Sequence, residues 1–172
     1  MSSASRTALP IEGAELRPAG PDDGAELLVL QRCCWVEEAI ANDMLDIAAL
    51  HETLDDVRAW IDDWTTWCVR VGPRLVGAVR AKRVGDTWEI GRLMVAPDLA
   101  GQGLGGWLLR YAEAEAPEGV ETIALFTGAR STRNIGMYER AGFRRTGAPA
   151  PPGAVNLLKP RATGSPDGQA SA

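Results

Sequence analysis

The stretch LMVAPDLAGQGLGGWLLRYAEA, Leu93 to Ala114, decides how this chain is read. An apolar extended run closes at Ala96-Pro97, a loop carrying Gly101, Gly103, Gly105 and Gly106 follows, and Leu104, Trp107, Leu108 and Tyr111 then mark one face of a helix. Glycines let the backbone approach an anion closely, while unpaired amides and the positive helix end hold it without a lysine. A strand, glycine loop and helix in this order therefore suit a pyrophosphate-bearing ligand.

Upstream of the loop, Trp67 to Val71, Leu75 to Lys82 and Thr87 to Val95 read as strands separated by Gly72-Pro73 and Gly85-Asp86, which predicts an antiparallel meander. Earlier still, a short strand at Ala14 to Arg17 precedes a helix capped at Gly20, with Pro21 at its first position and Asp22 and Asp23 in its positive first turn, running to about Ile40. A second helix starts near Thr53, where Leu54, Val57, Ile61 and Trp64 share one face, and stops before Trp67. Downstream come a strand at Thr122 to Thr127, a helix from Ser131 to Ala141 closed by Gly142, and a weak strand at Val155 to Leu158. The pattern predicts an α/β domain over residues 14–159, with a mixed, mostly antiparallel sheet flanked by helices. A flexible N-terminus (1–13) and a disordered tail (160–172) are expected on either side.

Composition excludes several classes of function. Of 172 residues, 45% are hydrophobic and 24% charged, as in an ordinary globular domain. No apolar run approaches the roughly 20 residues of a membrane span, and no hydrophobic leader is visible, so a cytoplasmic location is expected. The net charge of −5 argues against a nucleic-acid partner. Three cysteines without a CxxC spacing, beside one histidine, predict neither a disulfide framework nor a metal site.

Glycine loops of three kinds compete for the central stretch. A nucleoside-triphosphate loop requires a Gly-Lys-Ser/Thr ending, which is missing. The dinucleotide spacing GxGxxG is met by Gly101, Gly103 and Gly106, but five residues separate strand from loop, the strand belongs to a meander, and the next strand ends in Phe126-Thr127-Gly128 rather than an acid. The third kind is the acetyl-CoA loop of the GNAT superfamily of N-acetyltransferases, which Leu93 to Gly105 resembles. Ser131, Tyr138 and Gly142-Phe143 resemble the second hallmark of that family, in the same register. One departure is Ala100, which stands where an Arg or Gln usually opens the loop motif.

The resemblance covers about Trp67 to Phe143 and implies a single-domain enzyme of bacterial type with a sheet splayed at the loop. It implies acetyl-CoA as co-substrate and direct transfer, in a ternary complex, to a small-molecule amine or a protein lysine; the chain would act as a monomer or homodimer. The pantetheine arm would pair with Leu93, Met94 and Val95, and the pyrophosphate would lie over Gly101, Gln102, Gly103, Leu104, Gly105 and Gly106. Ser131 and Asn134 would hydrogen-bond the cofactor or cap their helix. Acyl transfer needs a neutral amine and a proton for the departing thiolate. Tyr138 is the implied acid. Glu89, read by two-residue alternation as sharing a face with Leu93 and Val95, is the implied base, or else a strand glutamate salt-bridged to Arg80 or Arg92. Trp35, Glu38 and Trp64 are candidates for the acceptor pocket, since carboxylates beside indoles suit a cationic or aromatic amine. Ala100 keeps open an alternative, a non-catalytic module that senses acyl-CoA.

Overall fold

A computed structural model describes residues 8–161. Strand β1 (Ala14–Pro18) is followed by a single 3-10 turn at Pro21–Asp23, and then by helices α1 (Gly24–Asn42), α2 (Ala48–His51) and α3 (Leu54–Asp63). The meander β2 (Thr65–Val71), β3 (Arg74–Val84) and β4 (Thr87–Val95) leads through the glycine loop into α4 (Leu104–Ala114). The chain closes with β5 (Thr122–Gly128), α5 (Thr132–Arg140), β6 (Arg144–Thr146) and β7 (Ala154–Pro160).

One seven-stranded sheet results, in the order β1-β2-β3-β4-β5-β7-β6. Every pairing is antiparallel except β4 with β5, which are parallel and matched only from Thr87↔Thr122 to Glu89↔Ala124. Beyond Glu89 the two strands part, and this is the expected splay.

Helices cover both faces. Trp88 Nε1 donates to Ala112 O of α4 at 2.8 Å, and a Cβ built at Gly77 of β3 would lie 3.0 Å from Leu104 and 3.3 Å from Leu108, so glycine at 77 lets α4 sit close on its face. The other face carries α1 and α3, joined to it through Leu27, Leu30, Val57 and Trp60, all buried. Each fully buried aliphatic side chain contributes roughly 1.5–3 kcal/mol, so this two-sided core supplies most of the drive to fold.

Local chemistry sets the helix starts. Thr53 and Asp56 form a reciprocal cap on α3, with Thr53 N donating to Asp56 Oδ2 at 2.7 Å and Asp56 N donating to Thr53 Oγ1 at 3.3 Å. Before α1, the buried Asp23 carboxylate accepts from Gly20 N at 2.8 Å, from Arg17 at 2.6 and 2.7 Å, and from Arg70 of β2 at 2.9 Å. A first-turn acid expected only to meet the helix dipole thus also ties β1, β2 and α1 together.

Two expected boundaries move. Leu9 and Ile11 pack against the core, so ordered chain begins before Ala14. At the other end Pro160 closes β7, and Arg161 N donates to Glu121 O at 2.8 Å while its guanidinium donates to Ala116 O at 2.6 Å. The expectations for residues 1–7 and 162–172 lie outside the described residues. The short helix α2 was not predicted, and β2 begins at Thr65, two residues early, because α3 ends at Asp63.

The Asp23 cluster generates a stability prediction. Arg17, followed by the Gly20 amide and Arg70, holds the Asp23 carboxyl well below the usual carboxylate range against the opposing effect of burial. A depressed carboxyl contributes stability that is complete above its unfolded value near pH 4 and is lost as pH falls toward the folded value. Asp23→Asn is therefore expected to cost about 2–3 kcal/mol at pH 7, measured by urea unfolding, with the difference from the parent shrinking below about pH 4. A pH-independent difference would contradict this account of the cluster.

Candidate active site

The site is set by an irregularity in β4. Lys82↔Glu89, Arg80↔Gly91 and Ala78↔Met94 are cross-strand partners, so one residue of β3 faces two of β4 between Gly91 and Met94. Arg92 takes the extra place with φ +47°, a left-handed conformation that arginine rarely adopts. Because partners point to the same face, Glu89, Gly91 and Met94 share a face with Lys82, Arg80 and Ala78, while Leu93 and Val95 are turned to the other. Contacts agree: a Cβ built at Gly91 would lie 3.8 Å from Trp64 of the α3 side, and one built at Gly105 would lie 3.7 Å from both Leu93 and Val95.

This corrects the reading of Glu89. Simple alternation put it with Leu93 and Val95, but the bulge separates them, and Glu89 faces the α1 and α3 side at the point where β4 leaves β5. It is not paired with Arg80 or Arg92 either. Arg92 bonds Glu52 at 2.5 Å, and Arg80 makes no salt bridge among the described residues.

The glycine loop leaves β4 through a 3-10 turn at Pro97–Leu99. Gly101 and Gly103, at φ +82° and +88°, take backbone conformations that side chains disfavour, and Gly103 opens α4 with no side-chain cap. The first amides of α4 therefore have no intrahelical acceptor, and Gly101, Gln102 and Gly103 are exposed beside them. Leu104 is buried under the sheet and anchors the loop from behind. Gly105 meets the side chains of Leu93, Val95 and Met137 of α5, so strand, loop and α5 converge on one residue that brings no side chain of its own. Sequence reading missed Arg110, one turn along α4, whose Nη1 lies 3.4 Å from the Cβ position of Gly106 and brings a cation to the loop. Spacing of four residues from Gly106 was the available signal.

Helix α1 spans the two rims of the splay. At one end Trp35 stacks on Arg92, 5.2 Å from guanidinium to ring centroid, and Cys34 Sγ donates to Val95 O at 3.3 Å. Burial raises the Cys34 thiol to about 11, so it stays neutral. At the other end Glu38 accepts from Asn134 Nδ2 at 2.7 Å and from Ser131 Oγ, and Asn42 Nδ2 donates to Ser131 Oγ at 2.9 Å. Neither Ser131 nor Asn134 caps α5 through its side chain. Both are held by Glu38, which is thereby drawn to α5 instead of standing beside the indoles.

Tyr138 is buried on the inner face of α5, edge-on to Phe143 at 6.2 Å. Burial, and secondarily the Glu38 charge, push its phenol above the ordinary tyrosine value, which keeps it protonated at neutral pH.

On the face of Glu89, the indoles are met by cations and not by carboxylates. Arg80 lies between Trp60 and Trp64, 4.6 and 4.3 Å from their centroids. Burial first, and Arg92 second, lower its guanidinium to about 10, against a weaker opposing pull from Glu52 and Asp63. Two cation–π contacts of about 0.5–2 kcal/mol each do not offset the several kcal/mol lost on desolvating a charge, so Arg80 is held at a cost.

Among the described residues no group of three or more His, Cys, Asp or Glu could hold a metal, and no helix is long and apolar enough to cross a membrane. His51 is exposed near Asp46, and a mostly antiparallel sheet does not fit a dinucleotide-binding fold.

Comparison with known proteins agrees with this geometry. Among solved structures, the PaiA N-acetyltransferase from Thermoplasma acidophilum in complex with coenzyme A superposes with a TM-score of 0.74 at 16% identity, covering 86% of this chain and 98% of that one. An acetyltransferase from Streptococcus agalactiae gives 0.72 at 21% identity, covering 87% and 99%. Among curated proteins, a mycothiol acetyltransferase from Cellulomonas flavigena is 34% identical over 84 residues, which is 48% of this chain and 23% of that protein. The UPF0157 protein YqkA of Bacillus subtilis is 27% identical over 120 residues, 70% of this chain and 34% of that protein. The chain thus spans a third or less of the length of these curated relatives. The family model of the acetyltransferase (GNAT) family matches residues 28–143, two-thirds of the chain and all of the site described above, and the chain belongs to that family.

Proposed function

We propose that this chain moves an acetyl group from acetyl-CoA to a primary amine, a small molecule or a protein lysine, by direct transfer in a ternary complex. The observation that carries the reading is the convergence of β4, the glycine loop and α5 at Gly105, on the edge where β4 has left β5. There, Leu93, Met94 and Val95 lie beyond the last β4–β5 pair, so this edge is free of β5 and open to a pantetheine arm, which would take over Val95 O from the weak Cys34 thiol donor. The amides of Gly101, Gln102, Gly103, Leu104, Gly105 and Gly106 suit a pyrophosphate. Arg110 offers the positive charge that Ala100 does not.

Ser131 and Asn134 would donate to the same arm after exchanging the Glu38 carboxylate for it. Tyr138, protonated, buried and next in sequence to the Met137 that meets Gly105, serves as acid to the departing thiolate, and Glu89, on the opposite side of β4, as base to an amine arriving from the α1 and α3 side. Trp35 and Trp64 wall that approach, and Glu38 closes its α5 end. An attacking amine must be neutral, so a carboxylate base that takes its proton raises the reactive fraction at neutral pH.

The test is initial-rate measurement of thiol release with saturating amine. Tyr138→Phe is expected to lower kcat about 100-fold and leave acetyl-CoA affinity unchanged, while Glu89→Gln is expected to lower kcat/KM for the amine at least tenfold with acetyl-CoA affinity likewise unchanged. An unchanged kcat in Tyr138→Phe would remove the phenol from the chemistry; tight acetyl-CoA binding with no amine acetylated would favour an acyl-CoA-binding module. For the loop, Arg110→Ala is expected to weaken acetyl-CoA roughly fivefold at low salt, with a smaller effect at high salt, as for a partly screened cation on a phosphate. No change at low salt would exclude Arg110 from the phosphate site.

A further inference from the structure

Orphaned polar atoms concentrate on one side of this molecule. Seven buried side-chain nitrogens or oxygens have no hydrogen-bond partner among the described residues, and five of them belong to Gln31, Trp60, Arg80 and Arg92 on the α1 and α3 side. Two, Nε and Nη1, are on Arg80 alone. Native interiors leave few such groups, so a cluster of them at one place is a sign of something the side chains are built to meet.

Two of the carboxylates nearby are already engaged, and Glu89, one cross-strand pair away, makes no salt bridge to Arg80. Glu52 takes Arg92 at 2.5 Å and Gln31 Nε2 at 2.7 Å, and Asp63 takes Lys82 at 2.6 Å. Arg80 is left as a cation clasped between two indoles, with part of its donor fork turned away from solvent and unbonded. A gap about one methyl wide adjoins Arg80 Nε, because the residue opposite is Gly91: a Cβ there would lie 3.6 Å from Arg80 Nε and 3.8 Å from Trp64, in ordinary contact. Gly91 itself lies between Glu89 and the bulge at Arg92, where the strands part.

We propose that Arg80, framed by Trp60, Trp64 and Gly91, anchors a carboxylate on the acceptor, so that the substrate is an amine carrying its own carboxylate, an amino acid or a close analogue of one. The inference rests on the transferase reading above and specifies its acceptor. A guanidinium fork matches a planar carboxylate in two parallel hydrogen bonds, and the two indoles stacked on Arg80 hold that fork in place. An anion held there keeps its amine beside Glu89 on one side and the splay on the other. The groups in contact with the indoles are also the reverse of those expected from the sequence: cations stack on the rings, and among them Arg80 alone makes no salt bridge among the described residues, which leaves it to meet an acceptor's own negative charge.

The experiment uses matched acceptors: leucine, leucinamide and isoamylamine, then phenylalanine, phenylalaninamide and phenethylamine, with phosphoethanolamine as a tetrahedral anion. Rates are expressed per unprotonated amine. In the parent protein the amino acids are expected to exceed their amides and decarboxylated amines at least tenfold in kcat/KM, chiefly through KM. Arg80→Met should abolish that ratio, Arg80→Lys should keep part of it, and acetyl-CoA affinity should stay the same in both. Arg80→Met should also leave Tm unchanged or higher, an outcome that a purely structural arginine would not give.

Should Arg80→Met fail to fold, Gly91→Leu fills the space beside the fork with the charge intact and is expected to raise KM for the amino acids alone. Amides or simple amines used as well as the amino acids, a preference for phosphoethanolamine, no acetylation of any member despite bound acetyl-CoA, or a ratio surviving Arg80→Met or Gly91→Leu would each overturn the anchor. Failure to bind acetyl-CoA would instead strike the transferase reading. The anchor is then judged by quenching of indole fluorescence in the unliganded chain, saturable with leucine and absent with leucinamide if it stands.

Discussion

The geometry of the site depends on β4 leaving β5 after Glu89 and taking one extra residue at Arg92. In a regular parallel pair, the β4 edge would be spent on β5 and every second side chain would face the same helix. Here the edge from Leu93 to Val95 is released, and those two side chains are turned against the first turn of α4. The bulged Arg92 reaches Trp35 and Glu52 on the opposite face. One backbone irregularity thus produces an open strand edge on one side, proposed to hold the cofactor, and a polar, aromatic face on the other, proposed to take the acceptor. An arginine at positive φ is costly, and it persists because stacking and an ion pair hold the side chain in place.

Helix α1 keeps the splay at a fixed width. It touches Arg92 through Trp35 and Val95 through Cys34, and about one and two turns later it grips α5 through Glu38 and the adjoining Ser131 through Asn42. The Asn42 side chain needs the room that Gly128 leaves, since a Cβ at 128 would overlap it, and its Oδ1 accepts from Arg130 N at 2.8 Å. Glu38 also sits close enough to bias Tyr138 toward its protonated form. A single carboxylate is therefore coupled to the α5 residues proposed to hold the donor and to the phenol proposed to protonate its thiolate.

Much of the fold was legible because its signals are local. Glycines at the turns, Pro97 after β4, the Thr53 cap and the apolar face of α4 each fix a boundary within a few residues, and the meander follows from short turns. The bulge was not legible: a run of nine strand-like residues gives no sign that one of them will be skipped in pairing, so alternation carried Glu89 to the wrong face. Likewise, the tryptophans were visible as a feature, but their partners were not, because Arg80 is separated by 16 residues from Trp64 and Arg92 by 57 from Trp35 in the chain. The same limit applies to Leu9 and Ile11, which find the core only once the tertiary structure exists. Family resemblance supplied the proposed roles of Tyr138 and the loop; the cations beside the indoles came from the structure alone.

The central claim, that the edge and loop around Gly105 hold acetyl-CoA, is tested most directly by calorimetric titration of the purified chain with acetyl-CoA, with NAD as the control ligand. Saturable binding of acetyl-CoA and not NAD, lost when Gly103 and Gly105 are both replaced by leucine in a chain that keeps its circular dichroism spectrum, is the predicted result. Absence of acetyl-CoA binding by the parent chain, or equal binding by the double variant, would contradict it.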